Sequence, residues 1–212
     1  MPKVSVMVFI IMKTLVLLLF SVMAGAQSPP SLNHSLVIIG DSLTEGYGVS
    51  AEEAFPAQLQ KIFNKNGNNW KVISEGISGS TSASAPSRVR WTLKKPPQMV
   101  ILALGANDGL RGIEASATEK NLDQALALLT EAHVKVILAG MKMPPNYQGR
   151  NKDQFEKIYP RLAKKYHIQL IPFLLKDVAG ISSLNQKDGI HPNAKGHAII
   201  AKNIYKYLQP NL

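Results

Sequence analysis

Six apolar residues stand in unbroken succession at Met99-Val100-Ile101-Leu102-Ala103-Leu104. A half-exposed strand alternates apolar and polar residues, so a run without alternation predicts a strand covered on both faces. Leu36-Val37-Ile38-Ile39, closed by Gly40, has the same character, and Val134 to Ala139 nearly so. Trp70 to Ser74 and Ile168 to Phe173 complete five candidate strands. Helical spacing fills the intervals. Phe55, Leu59, Ile62 and Phe63 recur on one face, with Pro56 in a first turn where its missing N–H costs little. A short helix is expected around Val89 to Leu93, stopped by Pro96-Pro97. Ser116-Ala117-Thr118-Glu119 reads as a capping box ahead of Leu122, Ala125, Leu126 and Leu129. Phe155, Ile158, Tyr159 and Leu162 mark a fourth helix, and Ala194 to Leu208 a closing one. Buried strands alternating with helices predict an α/β domain with a doubly wound, parallel five-stranded sheet.

Composition narrows what such a sheet can do. With 212 residues, 45% of them hydrophobic, the chain is one domain preceded by a targeting segment. It has no cysteine, which excludes disulfide frameworks, thiolate metal sites and a Cys nucleophile. The formal charge is +10, but the basic residues are scattered in nothing longer than pairs such as Lys94-Lys95 and Lys164-Lys165. A clustered basic face is missing, so nucleic acid is not the expected partner. Residues 1–26 hold Lys3 and Lys13, no acid, an apolar run from Leu15 to Met23 and the small-residue triplet Ala24-Gly25-Ala26. That pattern predicts a secretory signal cleaved after Ala26, with Met12 as the working initiator, and places residues 27–212 in the periplasm or outside the cell.

In open α/β sheets ligands bind where the strands end. Gly40-Asp41-Ser42-Leu43 follows strand one, Gly76-Ile77-Ser78-Gly79 strand two, Gly105-Ala106-Asn107-Asp108 strand three, and Asp188-Gly189-Ile190-His191-Pro192 comes after strand five. Ser42, at a strand-to-helix turn, is a candidate nucleophile that needs a base. His191 can be that base, and Asp188, three residues earlier, can fix its tautomer. Acyl transfer also needs donors for the oxyanion: the Ser42 N–H, the Gly79 N–H on a loop without a Cβ, and the Asn107 side-chain amide at the end of strand three. Taken singly, Ser42 could be an N-cap, Gly79 a turn glycine and Asn107 a loop cap; only their joint placement points to catalysis. His34, His133, His167 and His197 are expected at the surface or in packing. No ligand spacing suggests a metal. There is no Gly-x-Gly-x-x-Gly, no Walker loop and no Gly-x-Ser-x-Gly.

The blocks Gly40-Asp41-Ser42-Leu43-Thr44-Glu45-Gly46-Tyr47-Gly48, Gly79, Gly105-Ala106-Asn107-Asp108-Gly109-Leu110-Arg111-Gly112 and Asp188-Gly189-Ile190-His191-Pro192-Asn193 together resemble the ordered motifs of the SGNH (GDSL) hydrolases. The likeness spans residues 36–209 and is strongest to the bacterial periplasmic branch described as acyl-CoA thioesterases, lysophospholipases and arylesterases. It implies a three-layer, flavodoxin-like fold and a serine esterase without cofactor, acting on small acyl esters, thioesters or lysophospholipids. By the same resemblance Ser42, Asp188 and His191 form the triad, and Ser42, Gly79 and Asn107 the oxyanion hole. The loop from Gly109 to Glu114, with Leu110 and Ile113, is expected to wall the acyl chain. A monomer is expected, and the positive charge suits transient contact with anionic membranes. Two positions depart from the pattern: Ser80 stands where Asp or Glu is common, and Ala106 where a second glycine is common. Two other readings remain at this point: a carbohydrate O-acetylesterase of the same fold, and a non-catalytic ligand-binding relative.

Overall fold

The two unbroken apolar runs become strands buried along their whole length, whereas the strand from Trp70 to Gly76 is only half-buried. Leu36 to Ile39 and Met99 to Leu104 are all 4% exposed or less. The computed structural model describes residues 34–143 and 150–212. The expected leader over residues 1–26, its cleavage site and the polar loop from Pro144 to Tyr147 lie outside the described residues. Among the described residues five strands form: β1 His34–Gly40, β2 Trp70–Gly76, β3 Met99–Ala103, β4 Lys135–Ala139 and β5 Gln169–Ile171. All pair in parallel, in the order β2-β1-β3-β4-β5. This is the flavodoxin-like order, as expected from the motifs.

The helices are α1 Ser42–Glu45, α2 Phe55–Lys65, α3 Ala85–Thr92, α4 Ala106–Leu110, α5 Ala115–Glu131, α6 Arg150–Tyr166 and α7 Ala194–Leu208. From β1 the chain crosses to β2 on one side, then returns through β3 to β4 and β5 on the other. Right-handed crossovers therefore put α2 on one face and α3, α5 and α6 on the opposite one. Contacts agree: α2 packs with α7, while α5 packs with both α3 and α6. Asn33–Leu212 forms one compact unit. The reversal of direction falls between β1 and β3, so a crevice opens beyond their carboxyl ends.

Several local expectations need correction. The capping box at Ser116 does not form. Helix α5 starts two residues earlier than a Ser116 cap would place it, at Ala115 after Glu114, without a side-chain cap. Thr118 instead turns inward, its hydroxyl donating to Asp108 Oδ1 at 3.1 Å. Helix α3 begins at Ala85, with Pro86 in its first turn, following a 3₁₀ turn at Ser82–Ser84. Strand β5 stops at Ile171, before Pro172, which has no N–H to give the ladder. Asn107 does not end a strand: β3 finishes at Ala103, and Asn107 sits in the one-turn helix α4. Gly105 supplies the left-handed turn into that helix, with φ +118°.

Candidate active site

The site begins with a tight turn after β1. A Cβ on Gly40 would lie 1.9 Å from Thr44 Oγ1, so only glycine lets the chain fold back there. Asp41, fully buried, caps α1 by accepting the Leu43 N–H at 3.0 Å. Ser42 is thus the first residue of α1 and not its cap. Beneath the turn, the half-buried Arg88 guanidinium donates to the carbonyls of Gly40, at 2.7 Å, and Glu75. It fastens the last residues of β1 to those of β2.

Asp188 and His191 arrive from the far end of the chain on a turn that Gly189 closes with φ +76°. His191 Nε2 lies 3.0 Å from Ser42 Oγ, and His191 Nδ1 lies 2.7 Å from Asp188 Oδ2. Asp188 Oδ1 also accepts the backbone N–H groups of Ile190 and His191, each at 3.0 Å. Desolvation pushes the Asp188 carboxyl up, but the hydrogen bonds from His191 and Ile190 outweigh it and hold the group below the ordinary aspartate value. An ionised Asp188 keeps the proton on Nδ1 and leaves Nε2 free to accept one from Ser42. The Tyr47 ring covers the imidazole, with centroids 4.7 Å apart.

Asn107 donates one amide hydrogen to the Ser80 carbonyl at 3.0 Å, which fixes its orientation and leaves the second hydrogen for a ligand. Its neighbour Asp108 is fully buried and receives the Ser82 N–H at 2.8 Å and the Ser82 hydroxyl at 2.5 Å. Arg111 donates to the Gly79 carbonyl at 3.0 Å. Helix α4 and the residue after it therefore hold the loop from Gly79 to Ser82 at three points. Gly79 itself lies in an exposed turn with φ +76°.

A cavity of about 440 Å³ opens beside these groups. Ser42, Asn107, His191 and Leu110 line it, and Asp188 stands behind His191. Gly79 is not among the residues that line it. Ile113 is a correction. It is half-buried, its N–H bonds to the Asp108 carbonyl, and it is not part of the wall. The apolar wall comes instead from Met141 and Met143 after β4, Phe155 on α6, and Phe173 and Leu175 after β5. Sequence reasoning missed these five. The available signal was the position of Met141 and Met143 directly beyond β4, on the same sheet edge as Ser42. Among the described residues, no three His, Asp or Glu side chains gather as a metal site would require.

A family model for GDSL-like lipases and acylhydrolases matches residues 38–199. The chain belongs to this family. Thioesterase 1/protease 1/lysophospholipase L1 of Escherichia coli is 39% identical over 177 residues, spanning 83% of this chain and 84% of that one. The arylesterase of Vibrio mimicus is 33% identical over 92% of this chain and 96% of its own. A crystal structure of TesA superposes with a TM-score of 0.81 at 32% identity, covering 84% of this chain and all of the other. The GDSL chain described here is an ester-bond hydrolase with the SGNH fold.

Proposed function

We propose that this GDSL hydrolase cleaves fatty-acyl thioesters, lysophospholipids and simple aryl esters through an acyl-Ser42 intermediate. The observation that supports this most is the continuous chain Asp188–His191–Ser42 at the edge of an apolar cavity. His191 Nε2 takes the Ser42 proton as Oγ attacks the acyl carbonyl carbon. The resulting oxyanion is met by the Ser42 and Gly79 N–H groups and the Asn107 amide. Collapse expels the thiol or alcohol, which takes the proton from His191. Water, deprotonated by the same nitrogen, then releases the fatty acid from Ser42.

The wall of Met141, Met143, Phe155, Phe173 and Leu175 favours a long acyl chain over acetyl, because each buried methylene is worth about 0.8 kcal/mol. Rates on nitrophenyl esters should therefore rise from acetyl to medium-length chains, with turnover of lysophosphatidylcholine and palmitoyl-CoA alongside. A protein that gained nothing beyond acetyl would be an O-acetylesterase.

The reading extends to an exported monomer that touches anionic lipid surfaces transiently. Tyr47, Ile77, Ile181 and Ile190 are exposed on loops at the cavity's edge of the sheet, and the chain without Lys3 and Lys13 of the leader carries +8. Sedimentation with phosphatidylglycerol vesicles tests the lipid contact, and amino-terminal sequencing of native protein, expected to start near Gln27, tests export. Recovery only of protein that keeps Leu15 to Met23 would contradict cleavage.

A further inference from the structure

Beside the reacting Ser42–His191 contact, a second hydrogen-bonded path joins these two residues. The Tyr47 N–H donates to the Ser42 carbonyl at 3.0 Å. The Tyr47 carbonyl in turn accepts from Gln186 Nε2 at 2.6 Å, and the same nitrogen donates to the Pro192 carbonyl at 3.0 Å. The backbone N–H of Gln186 donates to the His191 carbonyl at 2.8 Å. One half-buried glutamine thus uses both amide hydrogens and its main chain to fasten the turn bearing Asp188 and His191 to the loop bearing Ser42.

The fold makes room for this side chain. Gly48, next to Tyr47, has φ +77°, and a Cβ there would lie 2.1 Å from Gln186 Oε1. No other residue type at position 48 leaves the amide where it is. The sequence motifs gave no reason to single out Gln186, because a lone glutamine before Asp-Gly-Ile-His has no chemistry of its own.

The second path matters because the first one breaks during the reaction. In the free enzyme Ser42 Oγ holds His191 Nε2 directly. Once Oγ carries an acyl group it has no proton to donate, and that bond is gone. His191 must nonetheless stay placed to deprotonate the water that attacks the ester carbonyl. We infer that Gln186 is a positioning residue whose two amide hydrogen bonds keep His191 in register in the acyl-enzyme, when Ser42 can no longer do so. The inference rests on the acyl-Ser42 reading above. Its consequence is specific: losing the amide donors slows deacylation more than acylation.

Gln186→Met keeps an unbranched side chain of similar length but has no donor, whereas Gln186→Lys keeps donors that can reach both carbonyls. With a nitrophenyl ester, Gln186→Met should release a rapid stoichiometric burst of nitrophenol, followed by a steady rate about 10²-fold below that of the native enzyme. Mass spectrometry of the quenched reaction should find the acyl group on the Ser42 peptide. Gln186→Lys should recover part of the steady rate. If Gln186→Met does not fold, Gln186→Glu, which keeps the shape and loses the donors when ionised, carries the same comparison. A lower Tm with no burst and no acyl-enzyme would make Gln186 merely structural and overturn the inference. Equal slowing in the Met and Lys variants would overturn it too. Ser42→Ala separates this from the parent reading: if Ser42→Ala still turns over ester, the acyl-Ser42 mechanism fails, whereas a dead Ser42→Ala beside a native-like Gln186→Met rejects the Gln186 role alone.

Discussion

His197 Nδ1 accepts the backbone N–H of Phe55 at 3.2 Å, joining α7 to the first residue of α2 across 142 positions of sequence. The residue before Phe55 is Ala54, which has no side chain to cap α2, so the imidazole does the capping from another helix. The Phe55 and His197 rings stack at 6.2 Å, which buries the base of the interaction.

That contact predicts an acid-labile stability. Burial pushes the His197 imidazole down from 6.5 to about 4, with the Glu53 charge opposing and the His191 charge adding to the effect. The unfolded chain takes up its proton near 6.5, while the folded protein resists until about 4. The contribution is therefore complete above pH 6.5 and lost as pH falls from there through about 4. At about 1.4 kcal/mol per unit it amounts to roughly 3 kcal/mol. Asp41, whose carboxyl titrates in the opposite sense over the same range, acts equally in both proteins, so the difference between native and variant isolates His197. His197→Asn keeps an acceptor without titrating, so from neutral to mildly acid pH the Tm of the native protein should fall relative to that of the variant. Parallel curves would remove His197 from the account.

Asn107 tests the oxyanion hole. Its amide is oriented by the Ser80 carbonyl and lines the cavity beside Ser42. A bond that tightens as charge develops acts on kcat and not on substrate binding. Asn107→Ala should lower kcat by about 10²–10³-fold, roughly 2.7–4 kcal/mol, with KM little changed. Normal turnover by a variant of reduced Tm would leave Asn107 as a loop cap.

The sheet and the meeting of Ser42, His191 and Asp188 were legible in the sequence for related physical reasons. Strands buried on both faces cannot alternate, so Met99 to Leu104 announced itself, and each such strand marked the loop that follows it as a place for function. Asp188 and His191 share one turn, which makes their pairing readable from spacing. What escaped depended on distant partners. Helix α4 is only Ala106–Leu110, too short to stand on propensity, and exists because Asp108 is bound by Ser82 and Thr118 from other elements. Ser116 is not a cap because α5 already starts at Ala115. Phe155 was legible as an apolar helix residue, but nothing local says that its face meets the cavity rather than the sheet.

Gly109 offers a direct test of the acyl wall. It lines the cavity, and a Cβ there would sit 3.3 Å from Met143 Cγ and 3.4 Å from Phe155 Cζ. Gly109→Val should fill space that a long acyl chain needs. The rate on medium-length nitrophenyl esters should drop about tenfold relative to acetyl ester, in line with 1–3 kcal/mol per methylene-scale change in a pocket. An unchanged chain-length profile in the folded variant would place the acyl chain elsewhere.

Asp41 supplies the last prediction, because its carboxyl is strained where the nucleophile is built. Oδ1 caps α1, but Oδ2 is buried without a hydrogen-bond partner. Burial lifts the group from 3.8 to about 6, against the hydrogen bond from Leu43 and the charges of His191 and Arg88. Because the folded state holds this proton longer than the unfolded one, the associated stability is present below pH 3.8 and lost as pH rises through about 6. At neutral pH the ionised carboxylate thus costs roughly 3 kcal/mol. Asn caps a helix as well as Asp does, so Asp41→Asn should raise Tm above pH 6 and change it little in acid. The same buried charge faces His191, which becomes positive as Ser42 gives up its proton. Removing it should lower kcat on the order of tenfold. A stabilised variant with lower kcat would show that the turn trades stability for a buried negative charge that favours the reaction. Parallel Tm curves with unchanged kcat would show that Asp41 serves only as a cap.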